Sequence, residues 1–461
     1  MIHASEMSVP ITRGETMNRI VRKTYSVCPV CLKRIPAFHA AYGNEIFLEK
    51  TCPEHGDFKT VIWRGYRDID SWRGALSPIG EGENESCPHG CGLCPDHRQG
   101  TCCVLLEVTK RCNLDCSFCF AEGGTSEEIP FKTVKARLRA LAVPGKTLVQ
   151  LSGGEPTVRE DLPQIIKAAK EAGCQYVQLN TNGIRLAESA EYVRELAEAG
   201  LSFVFMQFDG TDDEIYRRLR GKELFDIKKK AIENCDRYDL GVTLVPTIVP
   251  GINTGDIGNI IRFAVSQAPS VRGVHFQPVS YFGRIPEAPS DNMRFTLDEL
   301  LKAIDEQAGT LIPADTLLPS RCDHPLCGFH GDYIVMSDQT LNPLHKARSS
   351  CCCGSDQEKE GDTRRKAGAA EQNRLFVATR WQRSVPDLKA DGDEEGIETL
   401  EGFLSRVRSH SFTITAMAFQ DAGNIDLERL RRCSLHVFDD GRLVPFCAYY
   451  LTKLGTPQDT K

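Results

Sequence analysis

Between residues 103 and 305 one pattern recurs six times: a short run of β-branched and aliphatic residues, a polar loop, then an apolar stripe at helical spacing. The strand-like runs are residues 104–109, 147–152, 176–180, 203–208, 242–248 and 273–278, separated by helical stretches such as 162–172, 189–200 and 257–267. Parallel strands cannot be joined by a tight turn and need a crossover, so this alternation predicts βα units winding into a parallel sheet. The expected fold class is α/β, with a partial parallel (β/α)6 barrel over residues 103–308. Functional groups in such a barrel gather at the carboxyl ends of the strands. A helix near residues 291–308 completes the unit, and 313–320 reads as a linker.

The chain has 461 residues, enough for two or three domains. Residues 1–20 are polar and lack periodicity, which suggests a disordered extension. Residues 21–102 form a cysteine-rich region, and 309–461 a C-terminal metal-binding domain with a polar, disordered excursion near 354–373. A net charge of −7 without a long basic run argues against an electrostatic nucleic-acid binder. Lys228-Lys229-Lys230 reads as a solvated helix face. No apolar run reaches the roughly 18 residues needed to span a bilayer, and the first twenty residues lack a signal-peptide core. A cytoplasmic protein is expected. Its 20 cysteines are then poor disulfide material, since the cytosol keeps thiols reduced, and metal binding explains them better.

The cysteines fall into groups. Cys112, Cys116 and Cys119 follow the first strand with the spacing Cys-x3-Cys-x2-Cys. Three thiolates can hold three corners of a [4Fe–4S] cluster and leave the fourth iron open, the condition that catalytic metal sites share. The same positions would share one face of a helix, but the strand signal before them and the poor helix opening Lys110-Arg111-Cys112-Asn113 oppose that reading. Cys87, Cys91 and Cys94 repeat the spacing between polar flanks with no strand feeding them. They read as a closed auxiliary cluster, with Cys102 or Cys103 as fourth ligand. His89 and His97 are either alternative ligands or surface histidines. Cys28, Cys31 and Cys52 make a metal knuckle for zinc or a mononuclear rubredoxin-like iron, completed by His55 or by a cysteine from elsewhere; the bland alternative is a hairpin with incidental cysteines. Cys322, Cys327, Cys433 and Cys447 are scattered yet can converge on one cluster. Neighbours in an extended chain point to opposite faces, so Cys351, Cys352 and Cys353 do not all bind one cluster. Cys174 and Cys235 lie in helical patterns and read as core.

The other strand ends carry further candidates. Gly153-Gly154-Glu155-Pro156 closes the second strand, where glycines permit close backbone approach and Glu155 can accept from a cationic amine. Asn180 ends the third strand and Asp209 the fourth, both facing a cofactor in this reading. Residues 249–253 close the fifth and would support a nucleoside. Gln277, Pro278 and Tyr281, with Phe276 and Phe282, point at the side where substrate enters. That composition suits an apolar or long-chain substrate more than a phosphate, which calls for arginines or a helix N-terminus.

Cys112, Cys116 and Cys119, with Phe118 before the last of them and Gly153 to Pro156 downstream, resemble the radical S-adenosylmethionine (SAM) superfamily. The resemblance implies that the amino and carboxylate groups of SAM chelate the open iron. It also implies that Phe118 lies against the adenine, that Gly153 to Pro156 contact the methionine ammonium, and that reductive cleavage yields a hydrogen-abstracting 5'-deoxyadenosyl radical. Residues 424–436 and 441–449, the Cys28 to His55 pattern and the Cys87 to Cys103 block resemble the subgroup containing archaeal tetraether lipid synthase, formerly described as a pterin-dependent methyltransferase. The expectation is therefore an enzyme with one radical cluster, two auxiliary [4Fe–4S] clusters and a mononuclear metal. It would be served by a reductant such as flavodoxin or ferredoxin, and would form a C–C bond or alkylate an unactivated carbon of a lipid-like substrate. Two alternatives remain at this point: a maturase acting on a protein or peptide, and a non-enzymatic multicluster electron-transfer protein, which would not need Gly153 to Pro156.

Overall fold

A computed structural model describes residues 19–76, 87–89, 92–121, 124, 128–344, 363–383 and 400–453. Strands β1 (Arg19–Val27), β2 (Arg34–Tyr42), β3 (Glu45–Cys52) and β4 (Gly56–Trp63) form an antiparallel ribbon in sequence order. In such a meander the first and third turns lie at the same end, which brings Cys28 and Cys31 beside Cys52 and His55. Gly56 leaves the second of these turns at φ +80°, a conformation that L side chains rarely adopt.

The second sheet is built on β5 (Cys103–Thr109), β6 (Leu148–Gly153), β7 (Tyr176–Thr181), β8 (Phe203–Gln207), β9 (Gly241–Val245), β10 (Thr247–Ile248) and β11 (Val271–Pro278), which occupy the six expected runs. It continues beyond them with β12 (Leu318–Pro319), β13 (Gly328–Val335), β14 (Leu341–Pro343), β15 (Ser411–Met417), β16 (Leu435–Asp439) and β17 (Arg442–Pro445). The order is β12-β13-β15-β11-β9-β8-β7-β6-β5-β16-β17. Every pairing from β16 through to β15 is parallel. Two C-terminal strands thus extend the expected six-stranded unit, one at each edge, and antiparallel strands beyond them cover the new edges. The stretch expected as a linker contributes β12 and buries Leu317.

Side chains alternate across each strand. Val149, Leu151, Val177, Leu179, Val204, Met206, Val274 and Phe276 face outward and pack on Ile165, Ile166, Leu196, Ile260, Ile261, Leu300 and Ile304 of the surrounding helices. Phe276 therefore belongs to the outer core and not to the substrate side. Their neighbours Gln150, Gln178, Asn180, Phe205, Gln207, His275 and Gln277 face inward. Cys174 and Cys235 are in the outer core, as expected.

The helix Thr363–Trp381 closes the amino end of the barrel. The Trp381 indole donates to Thr413 Oγ1 at 2.9 Å and packs on Phe203 and Phe205. A Cβ at Gly241 would lie 2.1 Å from the Trp381 carbonyl oxygen, so the helix requires a glycine at that strand's start. This corrects the disordered excursion expected near 354–373. Residues 363–373 are helical because Ala370, Arg374, Ala378 and Trp381 are buried at three- and four-residue spacing; residues 354–362 lie outside the described residues. A second correction concerns the lysine run. Lys229 and Lys230 pair with Asp226 and Glu233 at the surface, but Lys228 is fully buried. Among the described residues no helix is long and apolar enough to cross a membrane.

Candidate active site

The cysteine loop lies across the carboxyl end of the barrel and is tied to four strand ends. Asn113 accepts from Asn182 at 2.7 Å after β7, Ser117 donates its amide to the Leu219 carbonyl at 3.2 Å after β8, and Cys119 exchanges backbone hydrogen bonds with Arg284 after β11. The end of β6 is zipped onto the loop's start, where Gly154 N donates to Thr109 O and Glu155 N to Arg111 O at 2.9 and 2.8 Å. A Cβ at Gly153 or Gly154 would sit 2.1 or 2.2 Å from those same carbonyl oxygens. The glycine pair is thus demanded by the cysteine loop itself.

Cys112, Cys116, Cys119, Phe118, Gly153, Gly154, Glu155 and Asn180 all line one cavity of about 310 Å3 inside the barrel. As a free thiol Cys112 is pushed up to about 11, by burial first and then by Glu155, Cys116 and Cys119. Iron ligation would replace that proton. A three-thiol donor set facing this cavity fits an iron–sulfur cluster.

Other candidates take different places. The Glu155 carboxylate is bonded within the protein: Thr157 N, Thr157 Oγ1 and Thr181 Oγ1 donate to one oxygen and Asn182 N to the other, at 2.6–3.0 Å. It locks β6 to β7, with three donors on one oxygen and a single donor on the other. Pro156 starts a 3-10 turn and does not line the cavity. Asp209 does not line it either. Its carboxylate is gripped by Arg220 at 2.6 and 2.8 Å and accepts from Thr247 N, and it is Arg220 that faces the cavity. Asn253 ties residues 249–253 to Asp209 O and Thr247 O, away from the cavity. Tyr281 donates to Met293 O behind Phe118, whereas Gln277, Pro278 and Phe282 do line the cavity. Sequence reasoning missed Arg220, Gln150, Gln178, Gln207 and His275. Four of these are polar residues inside otherwise apolar strands, a signal that strand alternation makes readable.

The remaining cysteines regroup. Cys102, Cys103 and Cys322 line the far end of the same cavity. Cys102 and Cys322 are near enough to share a hydrogen bond, and Asn373 donates to Cys102 Sγ at 3.3 Å. Cys433 lies apart from these, and its thiol is raised by burial and then by Asp323, Cys447 and Cys327. Cys87 packs in the apolar cluster that contains Cys447. Among the four scattered C-terminal cysteines, Cys322 has Cys102 as a neighbour, and Cys433 has Cys447 and Cys327. Cys94 sits at a turn; Cys91 and Cys351 to Cys353 lie outside the described residues. His89 is exposed, but His97 is no surface histidine: its Nε2 lies 3.2 Å from His436 Nε2 and 2.8 Å from Cys433 O.

At the ribbon's end the ligand atoms of Cys28, Cys31, Cys52 and His55 all lie within 4.8 Å of one another. Cys31 and Cys52 sulfurs are 4.0 Å apart, and His55 Nδ1 is 3.4 and 3.7 Å from Cys52 and Cys28. A tetrahedron with Zn–S bonds of about 2.3 Å has edges of about 3.8 Å, so the group fits a zinc ion with His55 as fourth ligand.

Residues 106–264 match the radical SAM superfamily, and residues 20–64 match the HMPTM N-terminal zinc ribbon domain. The chain is 34% identical to 7,8-dihydro-6-hydroxymethylpterin dimethyltransferase of Methanocaldococcus jannaschii, over 93% of each chain. It is 32% identical to Fe-coproporphyrin III synthase of Methanosarcina barkeri, over 53% of this chain and 60% of that one. The crystal structure of Streptococcus suis SuiB is similar over 46% of this chain and 47% of its own, at 17% identity and a TM-score of 0.38. With an enzyme as its relative over 93% of the chain, a three-thiol loop at the mouth of a parallel barrel and a zinc ribbon in front, this chain belongs to the radical SAM superfamily of enzymes.

Proposed function

We propose that this enzyme alkylates an unactivated carbon, or joins two carbons, in an uncharged substrate held inside the barrel. One observation carries the reading. The charged side chains lining the cavity are already bonded within the protein: Arg220 to Asp209, Glu155 to Thr157, Thr181 and Asn182, and Asp323 to the Ser434 amide. What remains is aromatic, aliphatic, thiol, hydroxyl, imidazole or neutral carboxamide, a lining that favours an uncharged ligand over a phosphate or carboxylate. When bound, cluster and SAM supply one-electron cleavage to a hydrogen-abstracting 5'-deoxyadenosyl radical. The chain's own part is to hold the loop by Asn113, Ser117 and Cys119, to present Asn180 and Phe118 to the cofactor, and to exclude water by the floor helix.

Within that class the first reading is a lipid-like chain, entering as a segment because about 310 Å3 is the small end of ligand cavities. A second reading is a neutral heterocycle. Gln150, Gln178 and Gln277 line the cavity with carboxamide donors and acceptors, and the Methanocaldococcus relative is named for a pterin. We further propose that Cys102, Cys103 and Cys322 serve one auxiliary cluster, and Cys87, Cys94, Cys327, Cys433 and Cys447 supply ligands to another. A low-potential carrier of the flavodoxin or ferredoxin class would deliver the electron. The test uses anaerobic enzyme with deuterated lipid chains or deuterated pterin and follows label into 5'-deoxyadenosine. Label from the lipid supports the first reading and label from the pterin the second. Label only from a peptide or protein partner overturns both in favour of a maturase.

A further inference from the structure

We propose that Arg220, clamped by Asp209, is a positioning residue that sets the reduction potential of the cluster held by Cys112, Cys116 and Cys119. The inference rests on the family assignment but not on which substrate is used. Arg220 ends the helix Asp213–Arg220, where Gly221 at φ +73° caps it and turns the chain away. The helix is stitched to the cysteine loop at the residue after Cys116: Ser117 donates its amide to Leu219 O and its hydroxyl to Arg218 O, each at 3.2 Å. Cys112 and Cys116 pack against the apolar group of Leu114, Tyr216 and Leu224 on the same side.

Two guanidinium nitrogens, Nε and Nη2, grip Asp209 at 2.6 and 2.8 Å. The group lines the cavity that Cys116 also lines, next to the Leu219 whose carbonyl holds Ser117. Paired with Asp209, the buried guanidinium stays charged, as arginine does throughout proteins. Asp209 is itself fixed by Thr247 N and by the Gln207 amide, whose oxygen accepts from Lys228 at 2.9 Å. The result is one line, Lys228 to Gln207 to Asp209 to Arg220, ending at the cavity beside Cys116. The Arg220 guanidinium offsets the Asp209 carboxylate behind the cluster.

That placement has an electrostatic consequence. Three thiolates on a [4Fe–4S] core give an anion that gains a further negative charge on reduction. A buried guanidinium beside a ligand sulfur stabilises the reduced form more than the oxidised one, and local charge is a recognised determinant of cluster potential. An arginine suits the task because its planar fork can hold a carboxylate on one edge and still offer donors on another.

The test is EPR-monitored potentiometry of the reconstituted holoenzyme, following the reduced-cluster signal that changes on SAM addition. Arg220→Gln is expected to lower the reduced-to-oxidised ratio at least tenfold at the native midpoint, a shift of about 59 mV for a one-electron couple. Asp209→Asn removes a negative charge from behind the cluster and should move the potential in the opposite direction, and the exposed neighbour Arg218→Gln should not move it. Arg220→Lys, which keeps the charge without the fork, should lie between native and Arg220→Gln, and it decides the matter where the glutamine variant fails to load its cluster. Native midpoints in both Arg220→Lys and Asp209→Asn, with full iron content, overturn the proposal. A native midpoint with weakened SAM binding also overturns it and assigns Arg220 to the cofactor. Failure of the family assignment would look different: no SAM-dependent signal in the unmodified enzyme.

Discussion

At the scale of single residues, the cysteine loop and its glycine partners tolerate little. Cys116→Ala is expected to abolish SAM cleavage, whereas Cys447→Ala should lose an auxiliary cluster and retain uncoupled cleavage; chromatographic detection of 5'-deoxyadenosine separates the two, and the reverse outcome would exchange their roles. Glu155→Gln places an amide NH2 among groups that all donate. It should cost about 1–3 kcal/mol in chemical denaturation, with cofactor binding affected only through the shifted β7 end. His275 offers a pH test. Burial pushes its imidazole down to about 4, while its Nδ1 shares a 2.8 Å hydrogen bond with Thr415. Between the unfolded value near 6.5 and about 4 the unfolded chain takes up the extra proton, so stability falls as pH drops through that window and is indifferent to this residue above it. His275→Gln should therefore flatten the acid limb by on the order of 3 kcal/mol in urea titrations; equal slopes in the two proteins would count against a neutral buried imidazole.

At the scale of elements, the floor helix Thr363–Trp381 decides how deep the cavity is. Its sequence reads as polar because its buried positions are two alanines, an arginine and a single tryptophan. Arg374 is buried with its guanidinium on the Thr101 carbonyl, a contact invisible along the chain. Trp381→Ala removes a side chain seated on Phe203, Phe205 and Thr413, and is expected to cost about 3–5 kcal/mol and to deepen the cavity. A denaturation midpoint unchanged from the native enzyme would mean that this helix does not close the barrel. The zinc ribbon was the most legible element, since Cys-x2-Cys and Cys-x2-His turns of one meander are local in sequence. Its attachment was not. Thr24 donates to Asp426 at 2.7 Å and Lys50 to Ala422 O at 2.7 Å, across nearly the whole chain.

At the scale of the whole molecule, one sheet unites residues on both sides of the barrel sequence, with β16 against β5 and β15 against β11. This arrangement draws Cys322 to Cys102 and Cys433 toward Cys447 and Cys327. If both groups carry clusters, anaerobically reconstituted enzyme should bind about twelve irons and about one zinc per chain. Metal analysis saturating near four irons would leave only the radical cluster.

The sequence by itself determined the strand positions, the parallel α/β class, the cysteine loop that follows the first barrel strand and the knuckle, because each depends on spacing within one turn or one strand and backbone geometry sets those periods. Tertiary structure alone decided that Lys228 is interior, that Asp209 serves Arg220, that Glu155 locks β6 to β7 and that Phe276 faces outward. Burial and pairing of a polar group depend on partners supplied from distant segments, and no local period records which partners will arrive.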